Sequence, residues 1–143
     1  TAQIEWGLEY NLPVIIHSRC AFYELCKVMD DYKNSGLRGV FHCFSGDTNE
    51  ALRLLEYPNF MLGIGGTVTY KKSILPESLK SVPLNRVVLE TDAPYLPPVP
   101  FRGKRNEPSY LIKVVECLSQ VYSCSPEDII SATTANAETV FCR

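Results

Sequence analysis

The segment RVVLETDAP at residues 86–94 is a short apolar run that passes directly into two acids and a proline. Three further runs of similar length are rich in Val, Ile, Leu or Phe. They are LPVIIHSR at 12–19, RGVFHCFSG at 38–46 and FMLGIGG at 60–66. Continuous apolar runs of this length are typical of parallel strands that are covered on both faces. The sequence therefore predicts four strands of a parallel sheet.

The segments before, between and after these runs place apolar residues at helical spacing. They cover residues 1–11, 21–36, 47–57, 73–82, 107–123 and 125–141. Asp47 or Thr48 is suited to cap the third of these helices, while Ser125 and Pro126 suit the start of the last. The order α-β-α-β-α-β-α-β-α-α predicts an α/β fold with a parallel sheet. The glycines at 63–66 form no dinucleotide-binding motif, and we expect them to let backbone or a ligand approach a strand end.

Composition limits the classes of function. The chain has 143 residues, of which 45% are hydrophobic and 21% charged, as in a globular domain. A net charge of −2 argues against a generally basic nucleic-acid groove, although a few local cations could hold phosphate. The six cysteines form no CxxC pair, which argues against a zinc knuckle and favours reduced thiols in a cytoplasmic protein. No apolar run reaches the length of a transmembrane helix.

Polar side chains follow three of the predicted strands. His17 ends the first run, His42 lies near the end of the second, and Asp92 ends the fourth. Because the carboxyl ends of parallel strands form one rim, we expect these side chains to converge there. Imidazole and carboxylate together suit a divalent cation such as Zn²⁺ or Mn²⁺. Taken singly, each histidine could be a hydrogen-bonded structural residue and the aspartate a turn former.

Glu90 precedes Asp92 by two residues, so both side chains should lie on one face of the strand. We interpret Glu90 as a residue behind the metal ligands that orients one of them. It could also accept from a basic group, and a plain buried ion pair is the alternative.

A basic segment, PPVPFRGKRNEP at 97–108, follows the fourth run and carries Arg102, Lys104 and Arg105. On the same rim, these cations and Arg19 could hold an anionic substrate, since arginine matches the geometry of phosphate. A solvated basic loop is the alternative. Lys71 and Lys72 could follow a nucleic-acid backbone, although a solvated surface is the favoured interpretation of this pair.

Four motifs together resemble the TatD family of metal-dependent deoxyribonucleases. They are PVIIHSR, FHCFSG, ETDAPYL and RGKRNEP, in the family's order and spacing. TTANAETVF looks like the family's closing helix, so the resemblance covers essentially the whole chain. The resemblance implies a TIM-type (β/α) barrel hydrolase with a divalent metal ion, Zn, Mg or Mn, at the carboxyl rim. It also implies DNA as the substrate, hydrolysed by a metal-activated water.

The resemblance also assigns residues. His17 and His42 correspond to metal ligands, and Asp92 to a ligand or to the base at the water. Arg105 and neighbouring cations would hold phosphate. Cys20 departs from the family pattern, which has aspartate after HSR, and this puts one minor contact in doubt.

The family's His-x-His strand and its Glu-bearing strand have no counterpart here. A complete barrel needs about 250 residues, so residues 1–143 are expected to form a single domain, the C-terminal portion of a barrel with its last four βα units. We then expect weak metal binding, uncertain activity and self-association through unpaired edges. Two alternatives stay open: a related metal hydrolase acting on another ester or amide, and a non-catalytic remnant or interaction protein.

Overall fold

The computed structural model describes residues 1–142, so residue 143 of the predicted domain lies outside the described part. The strands are β1 (Val14–His17), β2 (Gly39–His42), β3 (Phe60–Ile64) and β4 (Val87–Leu89). They form one parallel sheet in the order β1-β2-β3-β4. The predicted α/β fold with a parallel sheet is confirmed. That these are the last four units of a barrel stays a prediction.

Six α-helices surround and follow the strands. They are α1 (Ala2–Glu9), α2 (Phe22–Asp30), α3 (Thr48–Leu54), α4 (Leu75–Leu79), α5 (Leu111–Tyr122) and α6 (Pro126–Phe141), with 3-10 turns at Gly66–Thr69, Leu84–Arg86 and Pro108–Tyr110. Asp47 caps α3 by accepting from the Glu50 N–H, and Ser125 caps α6 in the same way from Asp128. No helix formed by residues 1–142 has the length and apolarity to cross a membrane.

The helices are shorter than their sequence patterns predict. The pattern at 21–36 extends to Gly36, but α2 ends at Asp30. The N–H groups of Tyr32 and Lys33 donate to carbonyls three residues earlier, so the chain tightens into 3-10 geometry after the helix. Gly36 still ends the segment, with a φ of 80°.

The two faces of the sheet are covered differently. Phe41, Leu62 and Val87 pack into the main core, which also contains buried side chains from α2 to α6. Val40, Met61 and Val88 point the other way and form a small second cluster with Ala137 and Val140 of α6. One face is therefore packed by several helices, while the contact on the other comes from the end of a single helix.

Candidate metal centre at the carboxyl ends of the strands

The two histidines stand side by side at the ends of neighbouring strands. The parallel register pairs His17 of β1 directly with His42 of β2. Their ring centroids are 5.6 Å apart, with 39° between the ring planes. The side chain of His17 is exposed and that of His42 is half-buried. The predicted convergence of these two strand ends is therefore present.

Glu90 lies behind His42 and fixes its orientation. Its Oε2 is 2.8 Å from His42 Nδ1, and its Oε1 accepts a hydrogen bond of 2.6 Å from the Cys43 N–H. A carboxylate can only accept hydrogen bonds, so Nδ1 must carry the proton. When the ring is neutral, Nε2 is then left with a lone pair.

Asp92 meets the opposite side of the same ring. Its Oδ1 is 3.3 Å from His42 Nε2. Two lone-pair atoms at this distance repel each other unless a cation or a second imidazole proton lies between them. Two ligand atoms about 2.0–2.1 Å from one tetrahedral ion lie roughly 3.3 Å apart. The chemistry and spacing of this donor pair fit a divalent cation.

Strand alternation is not the reason that Glu90 and Asp92 both reach His42. β4 ends at Leu89, and Asp92 has a φ of 54°, in the left-handed region. Short polar residues such as aspartate tolerate that region better than most. The two carboxylates therefore contact one ring because the chain turns after the strand.

Asn106 holds that turn in place. It is buried, and its Nδ2 donates to the carbonyls of Thr91 and Tyr95, at 2.6 and 2.7 Å. These two carbonyls flank Asp92 on either side. From the sequence, the RGKRNEP motif is predicted to hold phosphate or to be a solvated basic loop, and Asn106 is not singled out in it. Its signal is weak, because an asparagine in a polar loop is usually exposed.

Gly63 leaves the space that Glu90 occupies. A Cβ at this position of β3 would collide with the Glu90 carboxylate. From the sequence, the glycines in FMLGIGG are expected to let backbone or a ligand approach. A Cβ at Gly66 would collide with backbone atoms of Leu96 and Pro98, as expected, whereas at Gly63 the approaching group is the side chain that orients His42. A glycine in a strand is the available signal, although the sequence does not say what approaches it.

The three predicted ligands, His17, His42 and Asp92, do not together form a complete metal site. Within residues 1–142, no three His, Cys, Asp or Glu side chains form a group able to hold a metal ion. His42 and Asp92 face each other, and His17 stands beside His42 without closing a three-donor set. Further donors must come from water, substrate or other side chains.

Cys43 lies next to this centre and is a poor nucleophile. Burial, followed by the charges of Glu90 and Asp92, raises the pKa of its thiol to about 11. The thiol is therefore protonated at neutral pH.

The three arginines predicted to bind phosphate are exposed on the surface. Arg102 lies over the ring of Tyr70, with 4.2 Å from its guanidinium carbon to the ring centroid. Arg19 and Arg105 are also exposed. Arg19 lies two residues after His17, and Arg105 is next to buried Asn106. Only Arg102 among the three has a described aromatic partner.

Comparison with known families fits this arrangement. The sequence model of the family described as TatD related DNase matches residues 1–142. The chain belongs to this family. The resemblance expected from the sequence motifs is thus confirmed.

The uncharacterized metal-dependent hydrolase YabD of Bacillus subtilis is 41% identical over 140 residues, which are 97% of this chain and 54% of that protein. A TatD protein of Citrobacter rodentium, named a 3′-5′ ssDNA/RNA exonuclease, is 33% identical over 98% of this chain and 55% of its own length. The crystal structure of YjjV, a TatD homologue from Escherichia coli, superposes with a TM-score of 0.89 at 32% identity, covering 97% of this chain and 53% of that one. The chain therefore spans about half the length of these relatives.

Proposed function

We propose that the protein is a metal-dependent nuclease that hydrolyses DNA phosphodiester bonds with an activated water. The observation that supports this most directly is the facing pair of His42 Nε2 and Asp92 Oδ1. The exonuclease name of one relative favours a nucleic-acid substrate. The chain spans about half the length of its relatives, and we propose hydrolysis both for the whole protein and, with weaker metal binding, for this chain.

His42 and Asp92, with His17 beside them, would hold a divalent ion, Zn, Mg or Mn. Such an ion, when bound, polarises a phosphoryl oxygen and lowers the pKa of water. Glu90 keeps the proton on Nδ1 of His42, so that Nε2 stays available as a ligand atom. Asp92 also accepts the proton of the attacking water as a general base.

The surrounding cations would position the substrate. Arg105 and Arg19 are each suited to bind phosphate oxygens through paired N–H groups, and Arg102, which lies over the Tyr70 ring, is placed to contact another part of the substrate. As water attacks phosphorus, the bond from phosphorus to the leaving oxygen breaks, and that oxygen leaves as an alcohol after taking up a proton. The cations hold the phosphate in line for this displacement.

One observation favours a second candidate, a chain that binds nucleic acid without cleaving it. Residues 1–142 bring no three metal-ligating side chains into one site, and structural or catalytic metal sites usually have three or four protein ligands. In this case the facing pair would hold metal weakly and hydrolysis would be undetectable.

We also propose the cytoplasm as the location of the protein. All six cysteines are free thiols. Thiols persist in reducing compartments and tend to pair in oxidising ones.

A hydrolysis assay separates the two candidates. The 143-residue chain is incubated with end-labelled single-stranded DNA and added Mn²⁺, Mg²⁺ or Zn²⁺, with and without a chelator. We expect cleavage that the chelator abolishes and that His42→Ala lowers by at least ~100-fold, because His42 supplies a ligand atom. Simple carboxylic esters and amides in parallel reactions test the wider hydrolase class.

The matched control is Tyr23→Ala, which removes an exposed ring on α2 and should leave cleavage unchanged. Cleavage that survives the chelator, or that His42→Ala does not reduce, would contradict the proposal. Absence of cleavage with every metal supports the second candidate for this chain.

A further inference from the structure

A groove lies beside the candidate metal centre, between the turn that follows β3 and the loop that follows β4. Its volume is about 590 Å³, and its lining includes Lys71, Lys72 and Arg102 together with Tyr70 and Thr67. The three cations are exposed to solvent. A groove of this size accommodates a ligand considerably larger than a single ion.

Charge is segregated in this groove. Three of its lining residues are cationic and none is acidic, whereas the chain as a whole carries a net charge of −2. Cations clustered in a concave surface raise the local concentration of polyanions more than scattered charges do. The groove is therefore selective for an anionic ligand.

A flat platform forms one part of the groove. The Arg102 guanidinium lies over the Tyr70 ring, and the Tyr70 hydroxyl donates a 3.1 Å hydrogen bond to the Pro97 carbonyl. The Val99 N–H donates to Thr69 Oγ1 at 2.8 Å, which joins the two loops a second time. Arginine planes and aromatic rings are surfaces on which unpaired bases stack.

The groove adjoins a pocket that is lined by one residue of the candidate metal centre, His42. Ser45 lines the groove and also lines the adjoining pocket that contains His42 and Cys43. The hydroxyl oxygen of Thr67, which lines the groove as well, is buried and makes no hydrogen bond within residues 1–142. A ligand lying in the groove thus passes from the platform towards His42.

We propose that this groove binds single-stranded nucleic acid next to the bond to be cleaved. Lys71 and Lys72 contact backbone phosphates, and the Arg102–Tyr70 pair stacks on one base. A paired base is not free to stack on such a platform, so the groove selects single strands. This inference rests on the proposed nuclease function for its substrate class, but it concerns binding and can be tested without cleavage.

Fluorescence anisotropy with a labelled 12-nucleotide single strand in chelator tests this inference. The double variant Lys71→Ala/Lys72→Ala should bind at least ~10-fold more weakly at about 0.1 M salt. The slope of log affinity against log salt should fall by about 1.4, because each phosphate contact on a single strand contributes about 0.7. The control Lys80→Ala/Lys113→Ala removes two lysines that pair with glutamates on helices, and it should change neither quantity.

The platform is tested separately. Arg102→Lys keeps the positive charge but removes the planar guanidinium. The slope of log affinity against log salt should therefore stay the same. The preference for a normal strand over an abasic strand of equal length should be lost. Tyr70→Leu should have the same effect. Lys71→Arg/Lys72→Arg should restore binding, which distinguishes lost contacts from misfolding.

Several outcomes would overturn the inference. One is that Lys71→Ala/Lys72→Ala binds the single strand as tightly as the control variant does. Another is that the protein binds duplex DNA or polyglutamate as tightly as it binds the single strand. Failure of the nuclease proposal looks different. In that case strand binding depends on the groove residues as stated, while no metal supports cleavage and His42→Ala leaves binding unchanged.

Discussion

A single carboxylate, Glu90, determines which nitrogen of His42 is available at the candidate metal centre. Its oxygens engage His42 Nδ1 at 2.8 Å and the Cys43 N–H at 2.6 Å. Both of these partners require an acceptor, and an ionised glutamate supplies two. An amide in the same place offers one acceptor and one donor, so it cannot satisfy both.

We therefore predict that Glu90→Gln changes the tautomer of His42 and weakens metal binding. At pH 8, where an ordinary imidazole is neutral, long-range ¹H–¹⁵N spectra should show the Nδ1–H form in the original protein and a mixture in the variant. Affinity for Zn²⁺ or Mn²⁺, measured by titration calorimetry, should fall by about 10–100-fold.

Glu77→Gln is the control, because this exposed glutamate of α4 pairs with Lys80. It should alter neither the spectrum nor the affinity. Gly63→Ala should reproduce the effect of Glu90→Gln, since its new Cβ displaces the same carboxylate. An unchanged tautomer in Glu90→Gln would show that Glu90 does not control the ring.

Among single residues, the sequence predicts the functional role of those whose chemistry is unusual for their position. His17, His42, Glu90 and Asp92 are polar groups directly after apolar runs, which makes them conspicuous. Asn106 is different, because its importance comes from carbonyls 11 and 15 residues away. Such contacts depend on a loop conformation that residue types alone do not specify.

At the scale of the elements, all four strands and six α-helices are predictable, while some of their ends, such as the end of α2 at Asp30, are not. The apolar runs and the caps at Asp47 and Ser125 are local signals, and they are found where the pattern places them. α6 shows what local signals omit. Its buried Asn136 donates through Nδ2 to the carbonyls of Leu84 and Val87, which joins the helix to the start of β4.

We predict that Asn136→Asp destabilises the fold by about 2–4 kcal/mol at pH 7. The substitution preserves side-chain shape but replaces two N–H donors with an oxygen that faces two carbonyl oxygens. The midpoint of urea unfolding, followed by circular dichroism, measures the change, with the free energy taken from the midpoint and slope.

Asn49→Asp provides the matched control. Asn49 lies on α3, in the first turn of the helix, and is exposed. There an added negative charge is neutral or slightly favourable, because it interacts with the N-terminal end of the helix dipole. Equal midpoints for the two variants would mean that the bonds from Asn136 to β4 do not contribute to stability.

At the scale of the whole molecule, the sheet has two edges that no described strand covers. β1 pairs with β2 alone and β4 with β3 alone, as far as residues 1–142 are concerned. Ile15 of β1 is 64% exposed, and a cavity beside it is lined by Val88 and by Phe141 of α6. Free edges flanked by apolar side chains favour pairing with another chain.

The 143-residue chain is therefore expected to self-associate. Light scattering coupled to size-exclusion chromatography should give a mass above 16.1 kDa that rises with protein concentration.

Ile15→Lys should shift the mass towards the monomer, because a charged edge strand resists pairing. Ile74→Lys, at a similarly exposed isoleucine outside the strands, should leave the mass unchanged. A monodisperse monomer at all concentrations would contradict this prediction.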